Sequence, residues 1–391
     1  MPNPRTVLEL PAPPTELEGL SQRLGERIAE RIRRDGPMPF DRYMAMALYE
    51  PGLGYYVNGL HKFGRSGDFV TAPEQGGLFA AALARQIDQI AAALDAPCTI
   101  LEPGAGSGAL AHDLLTRLDQ APERYLILEP SAALRQVQHE TLSRLPARLR
   151  QRVEWLDAPP SAAFTGVILA NEVADALPVS IFEITEQGLR ERRVQISRGR
   201  LAWTRAAPRS RVQMAVKQLE RDLGYRLPEG YVSEICLDLP AWLETITRPL
   251  ERGAVLLFDY GYPRTEYYLP ERNQGTLVCH YRHRAHFDPF VWPGLTDISA
   301  FVDFSALAAG GLRCGLDVAG FTSQADFLLA MGTHEMVDAQ TDERERLRLA
   351  GELKRLILPG EMGEKFKLLG LTRGLTGRLA GLEEANRAVK L

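Results

Sequence analysis

A glutamate followed by three alternating glycines is the group of residues in this sequence that is best suited to chemistry. Residues 98–115 read CTILEPGAGSGALAHDLL, in which Glu102 precedes Gly104, Gly106 and Gly108. Glycines let the backbone turn without Cβ clashes and approach a ligand closely, and the first N–H groups of the following helix can bind that ligand. These residues therefore predict a nucleotide-type pocket.

The glycines alone leave two cofactors open. Gly104, Gly106 and Ala109 satisfy the G-x-G-x-x-G/A pattern of NAD-binding turns, and they suit an S-adenosylmethionine-binding turn equally well. Glu102 favours the second cofactor, because a strand-end carboxylate adds nothing to a phosphate site but suits a positively charged amine or sulfonium. Glu129 lies 21 residues after the last glycine. That spacing is expected of a carboxylate that accepts ribose hydroxyls.

A parallel sheet is needed to hold these residues in place. From residue 98 onward, the short apolar runs CTILE, YLILE, VEWLD and GVILANE alternate with helical patterns, and AVLLFDYGYP forms a fifth run. This alternation predicts a doubly wound α/β fold, which binds ligands beyond the carboxyl ends of its strands. We therefore expect one sheet edge to carry the residues that close the first four runs, namely Glu102, Glu129, Asp157 and Asn171-Glu172.

The polar residues at these strand ends suit the transfer of a methyl group. Displacement at a sulfonium has an activated leaving group, so alignment is the main task of the protein. In this interpretation Asp157 lies at the adenine edge, and Asn171 and Glu172 face the methyl group. An arginine acceptor has a pKa above ~12, and carboxylates that clamp its guanidinium are the useful groups. The candidates for that catalytic role are Glu172, Asp175, Asp259 and Tyr260.

Composition limits the partners and surroundings of the chain. Its 391 residues carry a formal charge of −4, without the basic excess of a nucleic-acid-binding protein. The four cysteines are widely spaced, and no apolar run approaches the ~20 residues of a membrane span. We therefore expect a cytoplasmic protein with no nucleic-acid partner and no membrane insertion. A strand pattern would place His280 and His283 on opposite faces, so no metal site is predicted.

The chain is predicted to divide into four segments. Thr15 and Glu18 match a capping box that opens the first helix. After residue 178 the doubly wound rhythm breaks into short strands that alternate apolar and polar residues, which predicts an antiparallel insertion. The segments are 1–94, an N-terminal helical segment with a long loop; 95–178, the first part of the core; 179–250, an inserted lobe with a helix returning to the core; and 251–391, the rest of the core with antiparallel strands and helices.

Several motifs together resemble one family. They are ALYEPGLGYY, FGRSGDFVTAPE, LEPGAGSG, LEPSAALRQVQ, ANEVADALPV, FDYGYP, GTLVCHYRHR and DISAFVDFSAL, in consistent order from about residue 40 to residue 332. In this combination the sequence resembles the MidA-like family of class I methyltransferases, whose mitochondrial members assist respiratory complex I assembly and methylate an arginine. The family tends to have two phenylalanines where this chain has Val173 and Ala174, and a threonine where it has Ser299.

The resemblance implies a fold, a cofactor and an activity. The fold is a seven-stranded, mostly parallel sheet with an N-terminal helical cover and an inserted antiparallel and helical lobe. The cofactor is S-adenosylmethionine, which Gly67, Asp68 and Phe69 help to cover, and the partner is a protein substrate that presents an arginine. Two alternatives stay open. A non-catalytic, chaperone-like assembly partner would keep the cofactor pocket, and an NAD-dependent dehydrogenase would explain the glycines but not Glu102. The oligomeric state is undetermined, with a homodimer as one option.

Overall fold

The chain folds into two compact units. The structure is a computed structural model that describes residues 10–60 and 71–391. Unit 1 comprises the described part of Met1–Val70 together with Ala176–Leu237 and Pro270–Ala300. Unit 2 comprises Thr71–Asp175, Asp238–Leu269 and Phe301–Leu391. The four segment bounds predicted from the sequence stay a prediction.

Strands and helices alternate along the described residues. The strands are β1 (Met38–Pro39), β2 (Thr99–Pro103), β3 (Arg124–Leu128), β4 (Val153–Leu156), β5 (Phe164–Asn171), β6 (Ser180–Thr185), β7 (Gly188–Ser197), β8 (Arg200–Ala206), β9 (Val232–Ile235), β10 (Leu250–Tyr262), β11 (Val278–Tyr281), β12 (Arg284–His286), β13 (Asp297–Ser299), β14 (Val302–Asp303), β15 (Asp317–Ser323) and β16 (Phe366–Arg373). The α-helices are α1 (Thr15–Asp35), α2 (Phe40–Tyr49), α3 (Ala72–Gln75), α4 (Leu78–Leu94), α5 (Ala109–Arg117), α6 (Ala132–Leu142), α7 (Ala147–Arg150), α8 (Ser210–Leu223), α9 (Leu239–Thr247), α10 (Arg264–Tyr267), α11 (Phe304–Arg313), α12 (Gln324–Ala330), α13 (Thr333–Asp338) and α14 (Glu343–Ile357). Short 3₁₀ turns are formed by Tyr55–Val57, Ala174–Ala176, Ala380–Leu382 and Ala388–Lys390.

Unit 2 is built on an eight-stranded sheet. Seven strands follow the order β15-β16-β10-β5-β2-β3-β4, and β14 pairs with β10 beside them. The strands β4, β3, β2, β5 and β10 are parallel, whereas β16 is antiparallel to both β10 and β15. The predicted α/β fold with a mostly parallel sheet is confirmed. The predicted count of seven strands is corrected to eight, because β14 has two residues and leaves no hydropathy pattern.

The sheet of unit 2 carries its main hydrophobic core. All five residues of β2 are buried, as expected of a parallel strand that is covered on both faces. Phe79 of α4 packs edge-on against Phe258 of β10, with ring centroids 5.2 Å apart. Phe258 packs in the same way against Phe327 of α12, also at 5.2 Å. These contacts fix the helices against the strands whose ends carry the polar residues.

The strand order of unit 2 reverses between β2 and β5. From β2 the sheet continues through β3 and β4 on one side, and through β5 and β10 on the other. Connections leave such a switch point in opposite directions, which opens a crevice beyond the carboxyl ends of the strands. Strand β2 ends directly before Gly104, and β5 ends at Asn171, directly before Glu172. The fold therefore brings the glycine turn next to Asn171 and Glu172.

Unit 1 contains two antiparallel sheets. One has the order β1-β7-β6-β9 with β8 paired to β7, and the other has the order β12-β11-β13. The antiparallel strands predicted after residue 178 are thereby confirmed. Helix α1 begins at Thr15, but Pro14 occupies its N-cap and no side chain caps it. The predicted capping box is wrong, because Thr15 is already the first helical residue.

None of the helices in residues 10–60 and 71–391 has the length and apolar content that a membrane crossing requires.

Candidate functional site

The glycine turn between β2 and α5 has a left-handed backbone at all three glycines. The φ angles of Gly104, Gly106 and Gly108 are +66°, +54° and +80°. Residues with a Cβ rarely adopt such angles. A Cβ on Gly104 would lie 3.2 Å from Cγ2 of Val173, and one on Gly108 would lie 3.3 Å from Cα of Gln138. The turn is therefore packed closely between its neighbours, with the N-terminus of α5 at its end.

Gln138 of α6 connects this turn to Glu129. Its Nε2 donates to the carbonyl oxygen of Gly106 at 3.0 Å and to Oε2 of Glu129 at 3.3 Å, while its Oε1 accepts from Nε1 of Trp155 at 3.0 Å. Oε1 of Glu129 also accepts the N–H of Ser131 at 2.9 Å. Burial raises the pKa of Glu129 against these hydrogen bonds. Sequence reasoning missed Gln138, because a glutamine on a helix face gives no distinctive pattern.

Glu102 is a buried carboxylate at the end of β2. It is 2% exposed, and its Oε2 accepts the hydroxyl proton of Tyr125 on β3 at 2.7 Å. Burial raises the pKa of Glu102 to about 7, although the hydrogen bond from Tyr125 lowers it. A group with this pKa becomes fully ionised when a cation is placed beside it. Glu102 is therefore suited to a positively charged ligand group.

Asp157 follows β4 and lies at the surface. Its side chain is 86% exposed, and its Oδ1 lies 2.6 Å from Nη2 of Arg135. Nε of Arg135 also donates to the carbonyl oxygen of Glu129 at 2.5 Å. Asp157 is thus connected to Glu129 through one arginine. Its role at the adenine edge stays a prediction.

Asn171 and Glu172 follow one another at the end of β5. Nδ2 of Asn171 donates to Oε1 of Glu172 at 3.1 Å, whereas Oδ1 of Asn171 is buried without a hydrogen-bond partner in the described part of the chain. Glu172 has a left-handed backbone with φ +54°, and its N–H donates to the carbonyl oxygen of Phe258 at 2.8 Å. Part of Glu172 is accessible to solvent, but burial of its carboxyl group raises the pKa to about 8, with the charge of Asp175 as the second cause.

Asp259 on β10 holds the 3₁₀ turn that carries Asp175. Its Oδ2 accepts the N–H of Ala174 at 2.9 Å and of Asp175 at 3.2 Å, and its Oδ1 accepts the N–H of Tyr260 at 2.9 Å. Burial, followed by the charges of Asp175 and Glu172, raises the pKa of Asp259 well above its usual range. The structure thus brings together the three carboxylates named from the sequence. Asp259 contacts backbone through both oxygens, which is the geometry of a positioning residue.

Tyr260 is the fourth residue predicted to be catalytic. Its ring packs edge-on against Phe301 at 5.0 Å and against Phe366 at 5.5 Å. It therefore lies beside Asp259 in an aromatic cluster, and its catalytic role stays a prediction.

Gly67, Asp68 and Phe69, which were predicted to cover the cofactor, lie outside the described residues. Within the described ranges, no three His, Cys, Asp or Glu residues are grouped so as to hold a metal ion.

The one-turn helix α3 was missed in the sequence, although it contacts both halves of the site. Oε1 of Glu74 accepts the hydroxyl proton of Ser107, in the glycine turn, at 2.9 Å. The backbone of Ala72 hydrogen-bonds the carboxyl group of Glu172 and lowers its pKa, while the charge of Glu74 raises it. Four residues show no helical period, so the signals were a proline and an acidic residue in the first turn, within a long glycine-rich stretch.

Comparison with known proteins identifies the family. Residues 82–322 match the family described as S-adenosyl-L-methionine-dependent methyltransferases. This chain belongs to that family. The methyltransferase fold, the enzymatic activity and the S-adenosylmethionine cofactor predicted from the sequence are thereby confirmed, together with the resemblance to the MidA-like proteins.

Solved structures and curated relatives agree with this assignment. A Burkholderia thailandensis crystal structure bound to S-adenosyl-homocysteine is 40% identical with a TM-score of 0.92, covering 98% of this chain and 100% of that one. A native crystal structure from the same organism is 41% identical with a TM-score of 0.89, over the same shares. The Danio rerio "Protein arginine methyltransferase NDUFAF7, mitochondrial" is 28% identical over 93% of this chain and 89% of its own length. The Homo sapiens protein of that name is 28% identical over 87% and 81%.

The described residues of this methyltransferase fit S-adenosylmethionine. The positive φ angles of the glycine turn give a ligand close access to backbone N–H groups. Oδ1 of Asn171 is a buried acceptor that a ligand donor would satisfy. In the predicted arrangement Glu102 and the turn hold the methionyl part, and Glu129 accepts the ribose hydroxyls. The bound cofactor supplies an electrophilic methyl group on a positively charged sulfur.

Proposed function

We propose that this methyltransferase methylates the side chain of an arginine on a protein substrate. The observation that carries the proposal is the convergence of Glu172, Asp175 and Asp259 at the end of β5, next to the glycine turn. Carboxylates match a guanidinium in charge and can bind it with two parallel hydrogen bonds. The NDUFAF7 relatives, which are named protein arginine methyltransferases, support the same acceptor.

The charges around Glu172 favour a cationic substrate. Burial, followed by the charges of the neighbouring carboxylates, raises the pKa values of Glu172 and Asp259, so these two groups hold protons at neutral pH. In residues 10–60 and 71–391 neither of these two groups has an Arg or Lys as an ion-pair partner. A guanidinium that enters the cluster favours the ionised carboxylates. Substrate binding therefore releases protons and restores the charge balance.

Glu172 is the group that we assign to proton transfer. A guanidinium nitrogen that forms a bond to the methyl carbon must lose one N–H proton, while the sulfur keeps the electron pair of the C–S bond. A carboxylate near that nitrogen orients it, concentrates electron density on it and accepts the proton. The pKa of about 8 for Glu172 lies close to the range in which a general base is effective at neutral pH.

The test is to map methyl groups on proteins. Proteins from cells that lack this chain are incubated with the purified enzyme and S-adenosylmethionine that carries a labelled methyl group, and modified residues are identified by mass spectrometry. We expect labelled arginines that depend on the enzyme. Label on another residue type would refute the arginine assignment. No transfer, together with a partner that co-purifies, would favour the non-catalytic alternative.

Glu172→Gln is the matched control for this assay. The amide keeps the volume of the side chain but cannot accept the proton, so transfer should be lost while S-adenosylhomocysteine still binds with unchanged affinity. Retained transfer would assign the acceptance of the proton to Asp175 or Asp259 instead of Glu172.

We also keep as proposals a cytoplasmic location, the absence of a nucleic-acid partner and a homodimer.

A further inference from the structure

Helix α14 fixes the one-turn helix that reaches the methyl-transfer site. We propose that Glu352 of α14 is a positioning residue for the cofactor turn and for Glu172, acting through α3. Glu352 lies outside residues 82–322, which match the methyltransferase family, and the sequence reasoning assigned it no role. The proposal rests on the methyltransferase activity and does not depend on arginine as the acceptor.

The carboxylate of Glu352 on α14 is buried beside the residues that follow α3. Glu352 is fully buried, and its Oε1 accepts the N–H of Leu78, the first residue of α4, at 2.6 Å. Its Oε2 lies 3.2 Å from Nη1 of Arg348 on the same helix. The start of a helix leaves N–H groups without intrahelical partners, and a carboxylate there is stabilised by the helix dipole. Glu352 thereby caps α4 from a distant part of the chain.

Close packing fixes the residues between α3 and α4. A Cβ on Gly76 would lie 2.0 Å from Oε2 of Glu352, so the backbone approaches this carboxylate as closely as only glycine permits. Next to it, Nε of Arg355 donates to Oε1 of Gln75 at 2.8 Å. Two residues of α14, one turn apart, therefore contact two consecutive residues at the end of α3: Arg355 binds Gln75, and Glu352 packs against Gly76.

Two other residues of α3 contact the site. Glu74 accepts the hydroxyl proton of Ser107 at 2.9 Å, and Ala72 hydrogen-bonds the carboxyl group of Glu172. A four-residue helix is too short to be stable by itself, because nucleation costs more than one turn of hydrogen bonds returns. Its position must therefore come from tertiary contacts. Helix α14 supplies such contacts through Arg355, which binds Gln75, and through Glu352, which packs against Gly76.

Burying an ionised carboxylate costs free energy unless hydrogen bonds or ion pairs compensate for the lost hydration. Burial raises the pKa of Glu352 against the hydrogen bond from Leu78 and the charge of Arg348. Apolar residues of similar volume often replace buried ion pairs without loss of stability. An apolar side chain, however, could not accept the N–H of Leu78. Holding the start of α4, and with it Gly76 at the end of α3, therefore accounts for a charged residue at this place.

The test compares two glutamates that share Arg348. Glu352→Ala removes the acceptor for Leu78, and Glu352→Gln restores an acceptor oxygen in the same volume. Glu345 lies 2.6 Å from Nη2 of Arg348 on the exposed side of α14 and provides the matched control, Glu345→Ala. The affinity for S-adenosylhomocysteine and the rate of methyl transfer are measured for the folded fraction of each variant, alongside its melting temperature.

We expect Glu352→Ala to weaken S-adenosylhomocysteine binding about tenfold, the effect of one lost hydrogen bond to a charged group. Glu352→Gln should recover most of that loss, and Glu345→Ala should stay within about twofold of wild type, as exposed pairs contribute little. A fall in melting temperature for Glu352→Ala, with wild-type affinity and transfer rate in the folded fraction, would overturn the proposal.

A double-mutant cycle identifies the route through α3. If Glu352 acts through this helix, the effects of Glu352→Ala and Glu74→Gln on affinity are less than additive, whereas additive effects would refute the route. If Glu352→Ala does not fold, Arg355→Met takes its place in the cycle, because it removes the hydrogen bond to Gln75 at the surface and leaves the Glu352 carboxylate in place. Binding of S-adenosylhomocysteine is independent of the methyl acceptor, so failure of this proposal is distinguishable from failure of the arginine assignment.

Discussion

Cofactor affinity should depend on pH through Glu102. Burial raises the pKa of this carboxyl group from 4.5 to about 7 in the free protein. The positive amine of a bound cofactor favours the ionised carboxylate and lowers this pKa. With a pKa of about 7, roughly a tenth of Glu102 is ionised at pH 6 and about nine-tenths at pH 8. Because the ligand selects the ionised form, the dissociation constant should fall about tenfold over this range.

The assay is calorimetric titration with S-adenosylhomocysteine at pH 6, 7 and 8. Glu102→Gln has no carboxylate to ionise, so it should bind weakly at each pH and show only the titration of the ligand, which wild type and variant share. Tyr125→Phe removes the donor that stabilises the ionised form, so the midpoint should move above pH 7. Equal pH dependence in wild type and Glu102→Gln would refute the placement of Glu102 beside the cofactor.

The raised pKa of Glu102 makes the free protein less stable as the pH rises, whereas it makes cofactor binding tighter. The folded pKa of about 7 exceeds the ordinary value of 4.5, so the folded state binds this proton more tightly than the unfolded state. The resulting stabilisation is fully present below pH 4.5 and is lost as the pH rises through 7. The loss amounts to roughly 3 kcal/mol. The melting temperature of Glu102→Gln relative to wild type should therefore be higher at pH 8 than at pH 5.

Three further substitutions test the remaining contacts. Asp259→Asn places an amide donor against backbone N–H groups, so urea denaturation should show a loss of about 1–3 kcal/mol, and transfer should slow because the turn carrying Asp175 shifts. Gly104→Ala forces a Cβ at φ +66° against Val173, which should cost about 1–2 kcal/mol in the same experiment and weaken S-adenosylhomocysteine binding. Gln138→Leu removes the donor to the glycine turn, so calorimetry should show affinity several-fold below wild type with helix content unchanged by circular dichroism. Wild-type behaviour in any of the three would remove that residue from the site.

The strand ends were predictable because they follow from local sequence. Each apolar run is short and is followed by a helical pattern, which places Glu102, Glu129 and Asn171 at one edge of a parallel sheet whatever the rest of the chain does. The structure has these residues at the ends of β2, β3 and β5. The glycine turn was equally local, since its spacing reports a backbone conformation.

The contacts that complete the site were not predictable because they join distant residues without a period. Ser107 and Glu74 are 33 positions apart, and Leu78 and Glu352 are 274 positions apart. Neither pair leaves a mark in the sequence of either partner. The two-residue strand β1 is a similar case: Met38 pairs with Val194, which joins the N-terminal helices and the inserted strands in one unit. Hydropathy cannot reveal a strand of that length.

The left-handed backbone of Glu172 lowers the stability of the fold, so stability and catalysis favour different residues at this position. A residue with a Cβ at φ +54° is strained by roughly 1–2 kcal/mol, which glycine would not incur. Glu172→Gly would therefore make the fold more stable and the enzyme inactive. Selection of random variants for heat resistance alone should enrich this substitution, whereas selection that also requires methyl transfer should eliminate it. If Glu172 is lost under selection for heat resistance alone and retained when methyl transfer is also required, then catalysis, and not stability, accounts for a glutamate at this position.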